Sequence, residues 1–364
     1  MNAPWHMNSS LRDVPDAVNA RLDDYLTSSA EEFGHINPAV DTAIDILRGF
    51  ILNGGKRVRP TFAWAGVRAG LSHTNPDAEL PAASSLLTAI SALEFIQACA
   101  LIHDDIIDAS DTRRGHPTAH RSFEAEHREN SWHGSAEHYG VSQAILCGDL
   151  AFSWADDMFN GAGLPASALE RTRPAWRAMR TEVIAGQILD VAVEATGSED
   201  VADSMSVITY KTASYTVARP LHIGAALVGA DRQTIDLLRG IGHDIGVAFQ
   251  LRDDQLGVFG DPAVTGKPAG DDLRSGKRTT LINYALSTND SAAATRLRAG
   301  LGDPNANVDE LKSIIVDTGA DQRVENLIAK HSTRAIDAIH SADFDPDITN
   351  ELAALAEKLT HRSF

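Results

Sequence analysis

Two aspartate-rich segments, about 150 residues apart, constrain this chain more than any other feature. The first runs from Asp104 to Asp108 within LIHDDIID, and the second contains Asp253 and Asp254 within FQLRDDQLG. Both lie in apolar stretches with helical spacing, where carboxylates are costly to hold unless a cation neutralises them. Mg²⁺ prefers such hard oxygen ligands and usually combines one or two carboxylates with substrate phosphates. The pair therefore predicts a cleft that holds a diphosphate through metal ions.

The composition indicates a globular protein with an acidic surface. The chain has 364 residues, of which 43% are hydrophobic, enough to bury one large core or two ordinary ones. Its net charge of −18 argues against a nucleic-acid or anionic-membrane partner, since either would require an electropositive face. Local basic clusters on this acidic background are therefore informative.

No pattern in the sequence predicts disulfides, secretion or a membrane span. Cys99 and Cys147 form no CxxC pair and lie in apolar helical sequence. The N-terminal region lacks a basic stretch followed by an apolar one, and charged residues interrupt the longest apolar runs. We therefore expect a soluble cytoplasmic protein.

The hydrophobic periodicity predicts an all-α fold. From about residue 40, apolar residues recur at spacings of three and four, and alternating strand patterns are nearly absent. We predict a polar peripheral segment over residues 1–35 and a single domain over residues 36–364. The clearest helical stretches are Ala82–Asp108, Val141–Met158, Pro174–Ala195, Ser204–Leu227 and Thr234–Phe259.

A histidine-rich segment, residues 115–140, could in principle bind a metal. Its histidine spacings match no zinc pattern and no cysteine lies nearby, so we predict a solvated loop.

The first aspartate segment is followed by two arginines. Asp104 and Asp108 are four residues apart and share one helix face, whereas Asp105 points partly aside. An exposed acidic helix end would explain the aspartates alone. Arg113 and Arg114, however, offer forked donors to phosphate oxygens one short turn later, which favours a metal–diphosphate site.

A second basic cluster lies in GGKRVRP. Gly54 and Gly55 allow the backbone to approach a ligand closely, and Lys56 and Arg59 face the same way if a helix begins here. A solvated basic turn is the alternative. Against the acidic background, the pattern favours a phosphate site.

The second aspartate segment is less complete than the first. Gln250, Asp253, Asp254 and Gly257 stand at helical spacings. Gly257 follows Asp253 by four residues, where a third carboxylate would mirror the first segment. Fewer ligands therefore remain on this side.

Two lysines downstream, Lys267 and Lys277, lie on glycine-bounded turns that could close over phosphates. No GxxxxGK[ST] pattern is present, so they do not form a P-loop. The pair Lys211-Thr212, on a predicted helix, carries little information by itself.

The ordered set of segments closely resembles the trans-isoprenyl diphosphate synthases, which make geranyl, farnesyl, geranylgeranyl and longer polyprenyl diphosphates. The resemblance implies an isoprenoid-synthase bundle of mostly antiparallel helices around a deep central cavity. It also implies a homodimer, with the aspartate motifs facing each other at the cavity mouth. The matching pieces, in the family's order, are GGKRVRP, LIHDDIIDASDTRRG, Gly148-Asp149, Lys211-Thr212, FQLRDD and TGKPAGDDLRSGKRT.

The resemblance assigns roles to individual residues. For Mg²⁺ it implies the first-motif (DDxxD) ligands Asp104 and Asp108, and Asp253 with Asp254 beside it. For isopentenyl diphosphate it implies Lys56, Arg59, Arg114 and the weaker contact Gln97, which stands where many members have a histidine. For the allylic diphosphate it implies Arg113, Lys211, Thr212, Gln250, Lys267 and Lys277.

The expected activity is Mg²⁺-dependent prenyl transfer. Isopentenyl diphosphate would condense with dimethylallyl, geranyl or farnesyl diphosphate by ionisation, condensation and elimination. Asp104, Asp108, Arg113, Lys211 and Asp253 would carry the catalysis, by binding metal and offsetting the charge of the leaving group.

Product length should depend on the residues below Asp104 on its helix. Cys99 and Ala100 lie about 6–7.5 Å down the axis at about 1.5 Å per residue, and both are small. Ile96 and Phe95, roughly another turn deeper, could form a floor. We expect geranylgeranyl diphosphate, with farnesyl or a longer polyprenyl diphosphate as the alternative.

Parts of the sequence also fit three rival functions. A class I terpene cyclase shares the first motif but does not need the isopentenyl diphosphate clamp. A non-catalytic subunit of a heteromeric prenyl synthase tends to lose the aspartates that this chain keeps. A phosphohydrolase of the HD type would rest on His103-Asp104 alone, a two-letter match that is frequent by chance.

Overall fold

The computed structural model describes residues 5–74, 77–261 and 270–360. Within these ranges the regular secondary structure is helical, including a short 3₁₀ turn at Gly34–Ile36, apart from a short hairpin and one isolated bridge between Thr74 and Ala230. The hairpin pairs β1 (Thr112–Arg113) with β2 (His116–Pro117) in antiparallel register. The prediction of an all-α fold is therefore confirmed.

The chain divides into two compact units. The first comprises Met1–Arg173 with Ile223–Asp231, and the second comprises Pro174–His222 with Arg232–Phe364. The predicted domain boundary at residue 36 stays a prediction.

The first unit is built from seven described helices, two of which begin at a side-chain cap. The Asn37 side chain accepts a hydrogen bond from the Ala39 N–H, and Ser135 accepts one from the His138 N–H, each satisfying a donor that the first helical turn leaves unpaired. These helices are α1 (Val14–Phe33), α2 (Pro38–Leu52), α3 (Val58–Leu71), α4 (Ala83–Ser91), α5 (Leu93–Ile107), α6 (Ala119–Glu129) and α7 (Ala136–Asn160).

Two further helices contain the divisions between the units, α8 (Ala166–Thr196) and α10 (Arg219–Leu227). Between them lie α9 (Val201–Val207) and a π-helical segment, Ile208–Ala218. The remaining described helices are α11 (Arg232–Phe259), α12 (Asp271–Ser275), α13 (Thr280–Leu286), α14 (Ser291–Gly300), α15 (Val308–Asp317), α16 (Ala320–Ser341) and α17 (Pro346–Thr360).

A hydrophobic core in the second unit holds α11 in place. Val247, Leu251 and Val258 on α11 are fully buried in one cluster with Leu281 and Val324. Their spacings of four and seven residues define one face of α11. The polar residues of the second aspartate segment therefore lie on a helix that is fixed by its apolar side.

The N-terminal range, expected to be peripheral, contains α1. Val14, Val18, Leu22 and Leu26 recur every four residues on this helix and are fully buried. The preceding backbone is also engaged, since Trp64 Nε1 donates a 2.8 Å hydrogen bond to the Ser9 carbonyl. The described part of this range is thus integrated into the first unit.

The solvated-loop prediction for residues 115–140 is wrong at its centre. The segment forms α6, and His120 and His127, seven residues apart on one face, are buried. The face packs against α7, where a Cβ on Gly140 would lie 2.3 Å from the His120 carbonyl oxygen. The charged residues on the opposite face obscured this helical pattern. Among the described residues, no group of three or more histidine, cysteine or acidic side chains is arranged to hold a metal.

One stretch, Ala83–Ile107, is long and apolar enough to cross a membrane by composition alone. In the structure 67% of its apolar window is buried. A core helix of a folded protein shows the same combination, so the stretch is weak evidence for a span.

Candidate active site

The first aspartate pair lies at the C-terminal end of α5. The Asp108 N–H donates a 2.8 Å hydrogen bond to the Asp104 carbonyl, so the two side chains stand one turn apart on the same face, as predicted. Asp108 is exposed and Asp104 is half-buried. A helix C-terminus carries partial negative charge, which disfavours carboxylates there unless cations are close. The position therefore favours binding of a divalent cation.

The middle aspartate of the segment binds an arginine. Asp105 is 1% exposed, and Arg113 Nε lies 2.8 Å and 2.9 Å from its two carboxylate oxygens. Burial raises the pKa of the Asp105 carboxyl, and the Arg113 guanidinium opposes that rise. Arg113 Nη2 also lies 3.7 Å from Asp104 Oδ2. Asp105 thus fixes Arg113 beside the pair that is predicted to bind metal.

The hairpin turn places Arg114 next to Arg113. Arg114 and Gly115 both have positive φ angles, 54° and 79°, as a two-residue type I′ turn requires. A positive φ is uncommon for arginine. Thr118 Oγ1 donates a 2.8 Å hydrogen bond to the Ser110 carbonyl and ties the two ends of the hairpin segment together.

The glycine pair before α3 approaches Arg114. Gly54 and Gly55 have φ angles of 99° and 117°, which side chains rarely adopt. A Cβ on Gly55 would lie 3.0 Å from Arg57 Nη1 and 3.2 Å from Arg114 Nη1. The absence of side chains here lets the loop that carries Lys56 lie against the arginines.

The resulting pocket is strongly basic. Burial lowers the pKa of Arg114. The Glu94 carboxylate opposes this change, and the neighbouring charges of Arg113, Arg57 and Arg59 add to it. An anionic ligand would relieve this repulsion. A cavity of about 230 Å³ beside Arg113 and Arg114 is lined also by Asn53, His116 and Ser122 among others.

Arg57, to which we assigned no role from the sequence, anchors the basic loop. It is 4% exposed and donates to three partners: Asn19 Oδ1 at 2.7 Å, Glu94 Oε2 at 2.7 Å and the Ile51 carbonyl at 2.6 Å. Its φ of 49° places its backbone in the left-handed region, which residues with side chains rarely adopt. No sequence pattern distinguishes it from Lys56 and Arg59, because its partners lie on α1, α2 and α5.

The residues predicted to control chain length become more buried with depth along α5. Ala100 is half-buried, whereas Cys99 is 9% and Ile96 1% exposed. Gln97, which we predicted to contact isopentenyl diphosphate, is also half-buried. Burial raises the pKa of the Cys99 thiol to about 12, so the thiol stays protonated at neutral pH.

An aromatic cluster encloses Phe95, one residue before Ile96. The Phe95 ring lies 5.3 Å from that of Tyr25 and 6.2 Å from that of Trp154, in edge-on geometry. Tyr25 and Trp154 are 6.0 Å apart. We assigned Tyr25 and Trp154 no role from the sequence, because they come from α1 and α7.

The Gly148-Asp149 pair on α7 lies beside α5. A Cβ on Gly148 would lie 2.3 Å from His103 Nε2, so a larger residue would displace the imidazole. His103 Nε2 is 3.8 Å from Asp149 Oδ1. The pair thus brings a further carboxylate toward the end of α5.

In the second unit, Lys211 and Thr212 lie in the π-helical segment, a rare geometry that is frequent at functional sites. A Cβ on Gly186 would lie 2.4 Å from the Lys211 backbone nitrogen, so this glycine lets α8 pack closely against the segment. The Lys211 ammonium pairs with Asp190, also on α8. We had assigned Asp190 no role.

A hydrogen-bond chain joins the π-helical segment to the second aspartate motif. Thr212 Oγ1 donates to Gln250 Oε1 at 2.8 Å, and Gln250 Nε2 donates to Asp254 Oδ1 at 2.7 Å. Asp254 is 7% exposed, and burial, with Asp272 and Asp253 nearby, raises its pKa to about 8. Asp253 is exposed. Of the two predicted metal ligands on α11, Asp253 is thus the more accessible.

The two downstream lysines differ in what the structure describes. Lys267 lies outside the described residues. Lys277 is half-buried, and its backbone N–H donates to the Asp272 carbonyl at 3.0 Å.

The structure brings the predicted site residues together in two groups. The first unit contains Asp104, Asp108, Arg113, Arg114 and the glycine loop, and the second contains Lys211, Thr212, Gln250 and the second aspartate motif.

Comparison with known proteins identifies the family. A model of the polyprenyl synthetase family matches residues 41–318. The chain is 36% identical to a geranylfarnesyl diphosphate synthase of Aeropyrum pernix over 297 residues, 79% of this chain and 83% of that protein. It is 30% identical to a (2E,6E)-farnesyl diphosphate synthase of Mycobacterium tuberculosis over 319 residues, 85% of this chain and 80% of that one.

A solved structure agrees with these relatives. The crystal structure of a geranylgeranyl pyrophosphate synthase from Corynebacterium glutamicum, complexed with isoprenyl diphosphate and magnesium, superposes with a TM-score of 0.92. It has 49% sequence identity and covers 98% of this chain and 100% of its own. This chain is therefore a member of the polyprenyl synthetase family, a prenyltransferase that makes trans-prenyl diphosphates.

Proposed function

We propose that this enzyme makes geranylgeranyl diphosphate from isopentenyl diphosphate and shorter allylic diphosphates. The observation that carries this proposal is the gradation along α5 below Asp104. Ala100, about 6 Å down the axis, is small and half-buried, whereas Phe95, about 13.5 Å down, is enclosed by aromatic rings. The relatives make products of different length, so membership of the family does not by itself determine the product.

The carboxylates fit Mg²⁺ as the cofactor. Asp104 and Asp108 offer hard oxygen atoms on one face at a helix C-terminus, and Mg²⁺ typically takes only one or two carboxylates with substrate phosphates. Asp253 offers a further exposed carboxylate, with the buried Asp254 behind it. When bound, Mg²⁺ would supply Lewis-acid stabilisation of the departing pyrophosphate.

The basic residues then divide between two substrates. We assign Lys56, Arg59, Arg114 and the amide of Gln97 to isopentenyl diphosphate, since all four side chains carry N–H donors for phosphate oxygens and three of them are cationic. Arg113, Lys211, Thr212, Gln250, Lys267 and Lys277 are assigned to the allylic diphosphate.

These roles imply a simple course for the reaction. Arg113, fixed by Asp105, and Lys211, held by Asp190, offset the charge that develops on the leaving group. The double bond of isopentenyl diphosphate attacks the allylic cation, and the released pyrophosphate accepts the proton. No side chain acts as a nucleophile.

One assay tests the product. The purified chain is incubated with labelled isopentenyl diphosphate, each allylic primer and Mg²⁺, and the dephosphorylated alcohols are separated by chromatography. We expect a twenty-carbon alcohol from all primers. A fifteen- or twenty-five-carbon alcohol as the main product would contradict the proposed length but not the family.

A variant pair tests the metal site. Asp104→Ala should abolish Mg²⁺-dependent condensation, whereas Asp111→Ala, a control at a carboxylate that is 77% exposed, should keep it. Wild-type turnover in Asp104→Ala would remove Asp104 from the mechanism.

The same preparation separates the rival functions. A terpene cyclase would release hydrocarbon from an allylic diphosphate without consuming isopentenyl diphosphate. A non-catalytic subunit would be inactive as a purified single chain.

We further propose that the enzyme is a soluble cytoplasmic homodimer. Light scattering of the purified protein would test the dimer, and fractionation of the cells that make it would test the location.

A further inference from the structure

A cavity in the first unit lies beside two substrate arginines but has no occupant among the roles assigned above. It has a volume of about 230 Å³ and is lined by residues of α2, the β1–β2 hairpin and the first turn of α6. Arg113 and Arg114 are among these residues. The other side chains that we assign to isopentenyl diphosphate are not: Lys56, Arg59 and Gln97. The cavity thus shares Arg114 with the isopentenyl diphosphate site but not the rest of that site.

Gly49, on α2, leaves this cavity open. Glycine weakens a helix, so a helical glycine often reflects close packing. Such packing occurs in this chain at Gly140, Gly186 and Gly246, where a Cβ would lie within 2.4 Å of another segment. Among the described residues, the nearest atom to a Cβ on Gly49 would be Asn53 Nδ2 at 3.5 Å, an ordinary contact. The packing of the chain therefore does not require glycine here, and the unfilled space beside Gly49 belongs to the cavity.

The lining combines cationic and apolar groups. None of the ten described residues around the cavity is acidic, although the chain has a net charge of −18. Arg113, Arg114 and His116 supply N–H donors from the hairpin. Ile46 and Phe50, one turn apart on α2, supply half-buried apolar surface. An anion that carries a short apolar group is complementary to both sides.

The first turn of α6 adds to the preference for negative charge. Ala119 and Ser122 of this turn line the cavity, and the N-terminal end of a helix carries partial positive charge. The residue before the helix, Thr118, does not cap it with its side chain, because the Thr118 hydroxyl donates to the Ser110 carbonyl. Since Asp105 already binds Arg113, Arg114 is the principal cation for an occupant.

We propose that this cavity binds a small phosphate ester with a short apolar group, at a site separate from the two substrate positions. Its phosphate contacts Arg114 and the first turn of α6, and its apolar group lies against Ile46 and Phe50. Gly49 is glycine because a larger side chain would fill the space of this ligand.

Occupation of the cavity inhibits prenyl transfer. Arg114 lines the cavity and is also assigned to isopentenyl diphosphate, so a phosphate that engages it from the cavity weakens its contact with the substrate. The KM for isopentenyl diphosphate then rises. This effect rests on the proposed function of Arg114, whereas binding in the cavity does not.

The test counts bound molecules per full-length chain by isothermal titration calorimetry, in chelator and without an allylic diphosphate, so that no turnover occurs. Two probes distinguish the source of the ligand. Isopentenyl diphosphate is the proposed substrate, and isopentyl phosphate has no double bond to react. We expect the wild type to bind one molecule more per chain than Gly49→Leu, with isopentenyl diphosphate if the ligand is the substrate itself, and with isopentyl phosphate if it is another phosphate ester.

The Gly49→Leu variant fills the cavity without changing a polar group. Leucine favours a helix more than glycine does, so the variant should unfold at the wild-type temperature or above it. Gly240→Leu is the matched control, since Gly240 is an exposed glycine on α11 whose Cβ would have no described atom within 4 Å. This control should bind as many molecules as the wild type. Equal numbers in the wild type and Gly49→Leu with both probes would overturn the proposal.

A second variant pair tests the charge of the ligand. Ser122→Asp places a carboxylate in the first turn of α6, where it favours the helix, and should weaken binding in the cavity by about 10-fold through repulsion. Ser122→Asn has a similar shape without the charge and should weaken binding much less. Equal affinities in the two variants would show that the cavity does not select an anion, and would overturn the proposal.

Kinetics separate this proposal from the proposed function. Isopentyl phosphate should raise the KM for isopentenyl diphosphate in the wild type and in Gly240→Leu, but not in Gly49→Leu. The same rise in Gly49→Leu would place the inhibitor in the substrate site and overturn the inhibitory role. If the wild type transfers no prenyl group from any primer, the proposed function fails, while the number of bound molecules still decides whether the cavity is a site.

Discussion

Arg113 binds the buried carboxylate of Asp105 through two nitrogens, with Nε 2.8 Å from Oδ1 and Nη2 2.6 Å from the same oxygen. A forked arginine–carboxylate pair fixes both position and orientation. The second aspartate of the first motif therefore acts on the arginine, while its neighbours Asp104 and Asp108 remain on the face that we assign to the metal.

Asp105→Asn should weaken this positioning without removing the metal site. The amide loses the charge and one acceptor, which should lower the free energy of unfolding by about 2 kcal/mol, as for a lost hydrogen bond to a charged group. The KM for the allylic diphosphate should rise while the Mg²⁺ concentration for half-maximal activity stays unchanged. Urea denaturation and steady-state kinetics measure the two effects. A change in the Mg²⁺ requirement equal to that of Asp108→Asn would instead place Asp105 among the ligands.

The buried pair Arg57–Glu94 should be important for stability. Their side chains are 3% and 6% exposed, so Arg57→Met leaves a buried uncompensated carboxylate and should cost about 3–5 kcal/mol. Arg57→Met with Glu94→Leu should recover much of that loss. Arg296→Ala, in an ion pair whose members are 60% and 50% exposed, should cost under about 1 kcal/mol. If Arg57→Met costs no more than this control, the loop has another anchor.

The metal-free enzyme should lose stability as pH rises, because of Asp254. Burial raises the pKa of its carboxyl to about 8 in the folded state, against 3.8 for the free group. Between these values the folded state holds a proton that the unfolded state has lost. The stabilising effect is therefore complete below about pH 4 and is lost as pH rises toward 8, with a slope of at most about 1.4 kcal/mol per pH unit.

Asp254→Asn tests this source of the pH dependence. The amide cannot ionise, so its urea-denaturation midpoint in chelator should depend less on pH between 5 and 9 than that of the wild type. Because metal binding favours the deprotonated carboxylate, added Mg²⁺ should stabilise the wild type more at pH 8 than at pH 6. Identical pH profiles of the variant and the wild type would exclude Asp254 as the cause.

Local sequence patterns were enough to predict the helical fold class and which residues of one segment share a helix face. The four-residue spacing of Asp104 and Asp108 determines that they share a face, and the structure places them one turn apart. The all-α class follows from periodicity over many residues, which no single contact can overturn.

Contacts between distant segments could not be predicted in this way. Arg57 depends on Asn19 and Glu94, and Phe95 depends on Tyr25 and Trp154, which no local spacing relates. The helix α6 was missed because its exposed face is highly charged and its buried face includes the polar residues His120, Glu124 and His127. At Gly257 the sequence indicated only a missing carboxylate. The Asp272 carboxylate that lies beside it comes from another helix, so no local spacing predicts it.

Ala100→Phe should shorten the product. Ala100 lies about 6 Å below Asp104 on α5, and a phenylalanine there would occupy the path of a growing chain well above the aromatic cluster around Phe95. We expect the main product to change from twenty to fifteen carbons, measured by chromatography of the dephosphorylated alcohols. Ala100→Ser, which keeps the residue small, should leave the length unchanged. A twenty-carbon product from Ala100→Phe would mean that the prenyl chain grows along another path. Trp154→Ala, which opens the aromatic cluster, would then lengthen the product if that path also ends at these rings.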